Sequence, residues 1–149
     1  MSVYREVKTK ICSIAGQKRR IFLKSLLFFL RRHWLSCSIG TLASITFLSL
    51  WPIDTLPSAP GSDKLHHLLA YATLAFPVAL RRPKRWLGII ALFIVYSGLI
   101  ELIQPLVSRY AEWLDLAANT TGLLCGVCLT EIVLWWEKRY MGTELPPSI

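Results

Sequence analysis

Charge is scarce in this sequence, and acidic charge most of all. Only 17% of the 149 residues are Asp, Glu, Lys or Arg, against about 25% in an ordinary soluble domain. Nine acidic residues stand against 17 basic ones, a formal net charge of +8. Cysteine is sparse too, and poorly arranged for chemistry. Cys12 lies in a basic segment, Cys37 in an apolar run, and Cys125 and Cys128 form a C-x-x-C inside another apolar run. No second pair and no neighbouring histidine completes a zinc or redox set, so these read as small apolar helix residues. The H-E-x-x-H of zinc peptidases and the G-x-S-x-G elbow of serine hydrolases are both missing. The basic excess suggests nucleic acid until its location is considered. Nine of the 17 Lys and Arg precede residue 34, four are Arg81, Arg82, Lys84 and Arg85, and two are Lys138 and Arg139. Clusters that flank apolar runs are the signature of membrane segments whose flanks lie in the cytoplasm. Nucleic acid is therefore not expected as a partner.

What the sequence does have is 54% hydrophobic residues gathered into long runs. The expectation is an all-α protein: an integral membrane bundle of four transmembrane helices, preceded by a short amphipathic helix. The chain has room for one domain, divided as a basic cytoplasmic segment at 1–33, a membrane domain at 34–136 and a cytoplasmic tail at 137–149. Residues 21–30 are apolar but interrupted by Lys24. Ten residues rise only about 15 Å as a helix, too short to cross a bilayer, so this segment is expected to lie at the cytoplasmic surface among lipid headgroups. The first span is Trp34 to about Trp51. It resembles the apolar part of a signal peptide, but its length and the lack of a small-x-small cleavage site predict retention. A Pro- and Gly-rich loop at 52–62 follows. The second span runs from Asp63 to about Leu80, the third from Trp86 to about Val107 with Pro105 in its last turn, and the fourth from about Trp113 to Trp136. Trp34, Trp51, Trp86, Trp113, Trp135 and Trp136 all fall at span ends, as aromatic belts do at the headgroup level. Four spans put all three basic clusters on one side. Both termini are then cytoplasmic, and the loops at 52–62 and 108–112 lie outside, in what is expected to be a bacterial plasma membrane.

Polar residues inside the runs carry the functional signal. Asp63, His67 and Tyr71 repeat at i, i+4, i+8 and share a helix face, with Lys64 beside them. Glu101 and Gln104 are three apart on the third span. Asp115 and Asn119 are four apart on the fourth, and Gly122 and Gly126 continue their stripe. Given the span directions, Asp63, His67, Glu101, Gln104, Asp115 and Asn119 fall within about two turns of the outer end, and Arg109 lies in the outer loop. Ionisable groups in a membrane are costly unless paired or hydrated and seldom face lipid. The arrangement predicts one outward-facing polar site made by Asp63, Lys64, His67, Tyr71, Glu101, Gln104, Arg109, Asp115 and Asn119. A structural alternative exists for several of them. Asp63 and Asp115 sit where helix N-caps occur, Asn119 suits an interhelical hydrogen bond, and Arg109 could neutralise Glu112. Glu101 has no such explanation. Glu131, near the cytoplasmic end, reads as structural with Lys138 or interfacial water as partner, and His66 points about 100° away from His67.

These stretches, DKLHHLLAYATL at 63–74, ELIQPLVSR at 101–109 and DLAANTTG at 115–122, resemble the VanZ-like membrane protein family. The family's Asp-Lys-x-x-His and Tyr fall on Asp63, Lys64, His67 and Tyr71, its Glu-x-x-Gln on Glu101 and Gln104, its loop arginine on Arg109, and its Asp-x-x-x-Asn with glycine on Asp115, Asn119 and Gly122. The resemblance covers about residues 50 to 135. The loop departs from the usual Pro-Gly-Arg in having Val-Ser-Arg at 107–109. The resemblance implies a small multi-pass protein of the cell membrane. It is named for a member associated with resistance to the glycopeptide teicoplanin, and no general biochemical activity comes with it.

Three functions stay open on the residues alone. A binding or transport protein would use Lys64 and Arg109 to attract an anionic group of a lipid or envelope precursor, and transport through so few helices would call for a homo-oligomer. A membrane enzyme would use His67 with Glu101 or Asp115 as an acid–base pair, or Asp63, His67, Glu101 and Asp115 as ligands of a divalent metal; no other cofactor is indicated. A structural protein would use the cluster only to orient its helices.

Overall fold

The computed structural model describes residues 17–18, 20–51, 62–107 and 112–141. Among them the regular structure is entirely helical. Helix α1 (Arg20–Arg32) is followed by α2 (Trp34–Leu50), α3 (Ser62–Arg81), α4 (Trp86–Ile103) with a 3-10 turn at Gln104–Val107, and α5 (Trp113–Met141). Most of both expected outer loops, Arg109 among them, and the ends of the chain lie outside the described residues.

Each boundary has a local cause. At His33 the chain turns by 77° from α1 into α2, so the short helix expected at 21–30 is indeed separate, though longer. Helix α3 ends where Arg82 adopts a left-handed conformation, φ 50°, ahead of Pro83, and the Arg82 N–H closes the last turn on the Val78 carbonyl at 2.9 Å. That conformation costs a non-glycine residue roughly 1 kcal/mol. It is offset by an ion pair to Glu131 and by the guanidinium's position 5.5 Å from the Trp86 ring centroid. Glu131 therefore answers Arg82, not Lys138 or interfacial water as expected. Helix α4 tightens to a 3-10 turn around Pro105, which lacks the N–H that an α-helical bond needs.

The bundle is apolar outside and polar within. On α4, Leu92, Val95, Leu99 and Leu102 are exposed while Ser97 and Glu101 are buried. On α5, Leu124, Leu129, Ile132 and Trp135 are exposed while Asp115, Asn119 and Thr130 are buried. A soluble protein does not present so large an apolar exterior; a bilayer requires one. The hydroxyls that do face outward are internally satisfied. Ser44, Thr73 and Thr121 each donate to the carbonyl four residues earlier, at 2.8–2.9 Å, as polar groups in lipid must.

By length and composition, Trp86–Val107 and Trp113–Tyr140 can each cross a membrane, and α1 with α2 makes a third span if that bent pair is counted as one. Helix α3 has 20 residues but carries Asp63, Lys64, His66, His67 and Arg81, so its composition does not mark it as a span. It is instead the most enclosed helix: Tyr71, Leu74, Ala75, Val78, Ala79 and Leu80 are all buried. A helix screened from lipid by its neighbours need not be apolar all round.

Helix α3 makes its most extensive contact with α5. Two glycines permit it. A Cβ at Gly122 would lie 2.3 Å from the Leu68 carbonyl oxygen, and one at Gly126 would lie 2.4 Å from that of Ala72. This is close packing of the G-x-x-x-G kind. Ion pairs to α5 and its approach then tie further helices at the two ends of the bundle. Arg31 of α1 binds Glu137 of α5 at 2.5 Å, and Lys64 of α3 binds Glu112, just before α5, at 2.9 Å.

Gly122→Ala and Gly126→Ala are each expected to lose about 1–3 kcal/mol of stability through overpacking against fixed backbone. Gly88→Ala, whose Cβ would meet nothing within 4 Å, should be neutral or gain up to about 1 kcal/mol from helix propensity. Thermal melting in detergent compares them directly, and equal behaviour at positions 122 and 88 would contradict the close approach.

Candidate functional site

The site lies where α3 begins, α4 ends and α5 begins. Its centre is Asn119, 1% exposed, whose side-chain amide joins three helices. Asn119 Nδ2 donates to Ser97 Oγ at 2.8 Å and to Glu101 Oε1 at 3.4 Å, both on α4. Its Oδ1 faces His67 Nδ1 of α3 at 2.9 Å. With both amide hydrogens committed to α4, Oδ1 is the acceptor, and the His67 proton sits on Nδ1. An amide buried without such partners would cost several kcal/mol, roughly 2–7.

Around this centre the sequence-predicted residues divide. Lys64 Nζ lies 2.9 Å from Glu112 and 3.9 Å from Asp115, which is itself 5% exposed. Glu112 is thus held by Lys64; its expected partner Arg109 lies outside the described residues. Gln104 Nε2 reaches the Ser49 carbonyl at 3.5 Å and so touches the end of α2. Tyr71 is buried in the apolar core with Ile45, Leu74 and Phe93. Asp63 lies in the first turn of α3 with its side chain outside the described residues, as is all of Arg109. Among the described residues no three His, Cys, Asp or Glu side chains converge to hold a metal ion.

Two recesses border the polar centre. One, about 270 Å³, is lined by Ile45, Ser49, His66, His67, Ala70 and Tyr71; His66 thus shares a recess with His67 despite the angle between them on the helix. The other, about 360 Å³, lies between α4 and α5 and includes Glu101 and Glu112. Among the described residues, Glu101 Oε2 and Gln104 Oε1 are buried without a hydrogen-bond partner. Glu101 is 7% exposed. An unpartnered carboxylate oxygen at that depth is expensive for the fold.

Two contributors were not singled out in the sequence. Ser97 is fully buried against Asn119, and its signal was available: Ser97, Glu101 and Gln104 fall at i, i+4, i+7 on one face of α4. Ser49 contributes only its backbone carbonyl, which no residue pattern reveals. Chemically, Asn119 stands between His67 and Glu101, so the link between these two candidate acid–base groups runs through a neutral amide.

The VanZ/LLP1 family model matches residues 12–134. No curated protein and no solved structure matches.

Asn119→Ala is expected to cost about 1–3 kcal/mol for each polar group it strands in a dry environment. In a double-mutant cycle with His67→Ala, followed by detergent melting, a coupling of about 0.6 kcal/mol or more is expected, the usual worth of an interhelical hydrogen bond in a membrane. Strict additivity would show that the His67–Asn119 contact contributes nothing.

Proposed function

Since the chain belongs to the VanZ/LLP1 family, we propose that it is a four-span protein of the bacterial plasma membrane that binds the headgroup of a lipid-linked or envelope ligand at its extracytoplasmic end. In this reading α2 to α5 are the spans. At 17 and 20 residues, α2 and α3 rise about 25 and 30 Å, enough to cross with modest adjustment of the bilayer. Helix α1 lies along the cytoplasmic face, consistent with its sharp turn at His33. The Arg31–Glu137 and Arg82–Glu131 pairs support gathering the basic clusters at one end, which the positive-inside rule assigns to the cytoplasm.

The observation that carries the ligand reading is Glu101: buried, with one oxygen unmet, at the end of the bundle opposite those clusters. A purely structural cluster accounts for Asn119, His67 and Ser97, which satisfy one another, but not for that oxygen. The anionic part of the ligand falls to Arg109 first, because Lys64 shares its charge with Glu112 and Asp115. The association of the family's name with teicoplanin makes glycopeptide sensitivity the first envelope phenotype to score.

Topology is tested by thiol labelling of intact cells. A cysteine replacing Ser58 should react with a membrane-impermeant reagent and one replacing Ser2 should not; the reverse pattern overturns the orientation. Function is tested in cells where deletion changes glycopeptide sensitivity. Glu101→Gln and Arg109→Gln, at wild-type abundance, should reproduce the deletion phenotype, and wild-type behaviour of both would reduce the cluster to bundle structure.

A further inference from the structure

The recess between α4 and α5 has a chemistry of its own. Val95, Leu99 and Leu102, which line it, are all more than half exposed, and in a bilayer that exposure is to lipid. Gly98 keeps the recess open, since a Cβ there would meet nothing within 4 Å. Trp113, also in the lining and 85% exposed, marks the headgroup level, where aromatic belts sit. The recess therefore runs from headgroup depth into the apolar region and opens sideways to the membrane. Its polar members are Glu101 and Glu112, both carboxylates at the same end. Glu101 is more than nine-tenths buried, and its Oε2 has no partner among the described residues. One side of this recess asks for hydrocarbon and the other for a hydrogen-bond donor, with a positive charge as the best complement.

We propose that this recess is a lateral lipid site: one acyl chain lies along Val95, Gly98, Leu99 and Leu102, and an ammonium-bearing headgroup donates to Glu101. The inference rests on the reading of Glu101 as a ligand-handling residue and adds the class of ligand, an aminolipid taken from the bilayer. An anionic headgroup without a donor cation would set its charge against the Glu101 carboxylate, Glu112 being paired with Lys64. A glycerol headgroup offers donors but leaves the carboxylate charge uncompensated.

The test is native mass spectrometry of the full chain from nanodiscs holding equal phosphatidylethanolamine and phosphatidylglycerol. The wild type should retain phosphatidylethanolamine with about tenfold preference or more, the size expected of a hydrogen bond to a charged group. Glu101→Gln should bring the ratio towards unity. Gly98→Leu, which fills the recess, should lose retained lipid of both kinds with its melting temperature unchanged, while Gly88→Leu should behave as wild type. If Glu101→Gln does not accumulate, the Gly98→Leu arm still decides. A wild-type preference for phosphatidylglycerol, or none, overturns the ammonium assignment; the envelope phenotype of Arg109→Gln would still judge the wider ligand reading on its own. Lipid retention unaffected by Gly98→Leu overturns the recess as the seat. A dimer of the Leu102→Cys variant, cross-linked through that cysteine, overturns it in favour of a second copy of the chain.

Discussion

The Leu68 carbonyl oxygen occupies the space that a side chain at position 122 would need, and the Ala72 carbonyl occupies that of position 126. From this contact the rest of the site follows. Only with α3 and α5 this close does His67 come within 2.9 Å of Asn119, and only then can a single amide also reach Ser97 and Glu101 on α4. Beyond the glycines, Thr130 continues the same face, fully buried and donating to the Gly126 carbonyl at 2.8 Å. One stripe of α5 thus supplies the close approach and the polar centre. In a membrane, where no hydrophobic force draws helices together, such packing and hydrogen bonding are what hold a bundle.

The bilayer imposes the second constraint. Every polar group inside must find a partner, and nearly every one described here does: hydroxyls return to their own helix, Asn119 serves three neighbours, and Arg31, Lys64 and Arg82 pair with carboxylates at the two ends. Against that background the unmet Glu101 Oε2 is, with Gln104 Oε1 and the Tyr71 hydroxyl, among the few exceptions within the described residues. It lies beside an apolar recess at the end of α4.

Much of this was legible in the residues. Tryptophan at the run ends anticipated both limits of α2 and the starts of α4 and α5, and the i, i+4 spacing of Asp115 and Asn119 anticipated the buried stripe that Gly122 and Gly126 extend. The VanZ-like motifs named the same positions. What was not legible is who meets whom. Helical phase says which face a residue is on but not which neighbour that face adjoins, so the pairing of Lys64 with Glu112 was not foreseen, and Glu131 was assigned to Lys138 where Arg82 holds it. Helix α3 shows the limit in another form. It was expected to be a span, yet its Asp63, Lys64, His66, His67 and Arg81 leave it outside the helices whose composition marks them as such.

The central claim is that Glu101 is kept for what it binds and not for what it holds together, and the melting temperature of purified Glu101→Gln in detergent tests it most directly. Glutamine keeps the oxygen that Asn119 approaches and removes a buried charge with no bonded cation among the described residues, a change that is neutral or stabilising when no pair is broken. The account predicts a melting temperature equal to or above that of the wild type. A clear fall, the sign of a cation stranded inside the bundle, would contradict it.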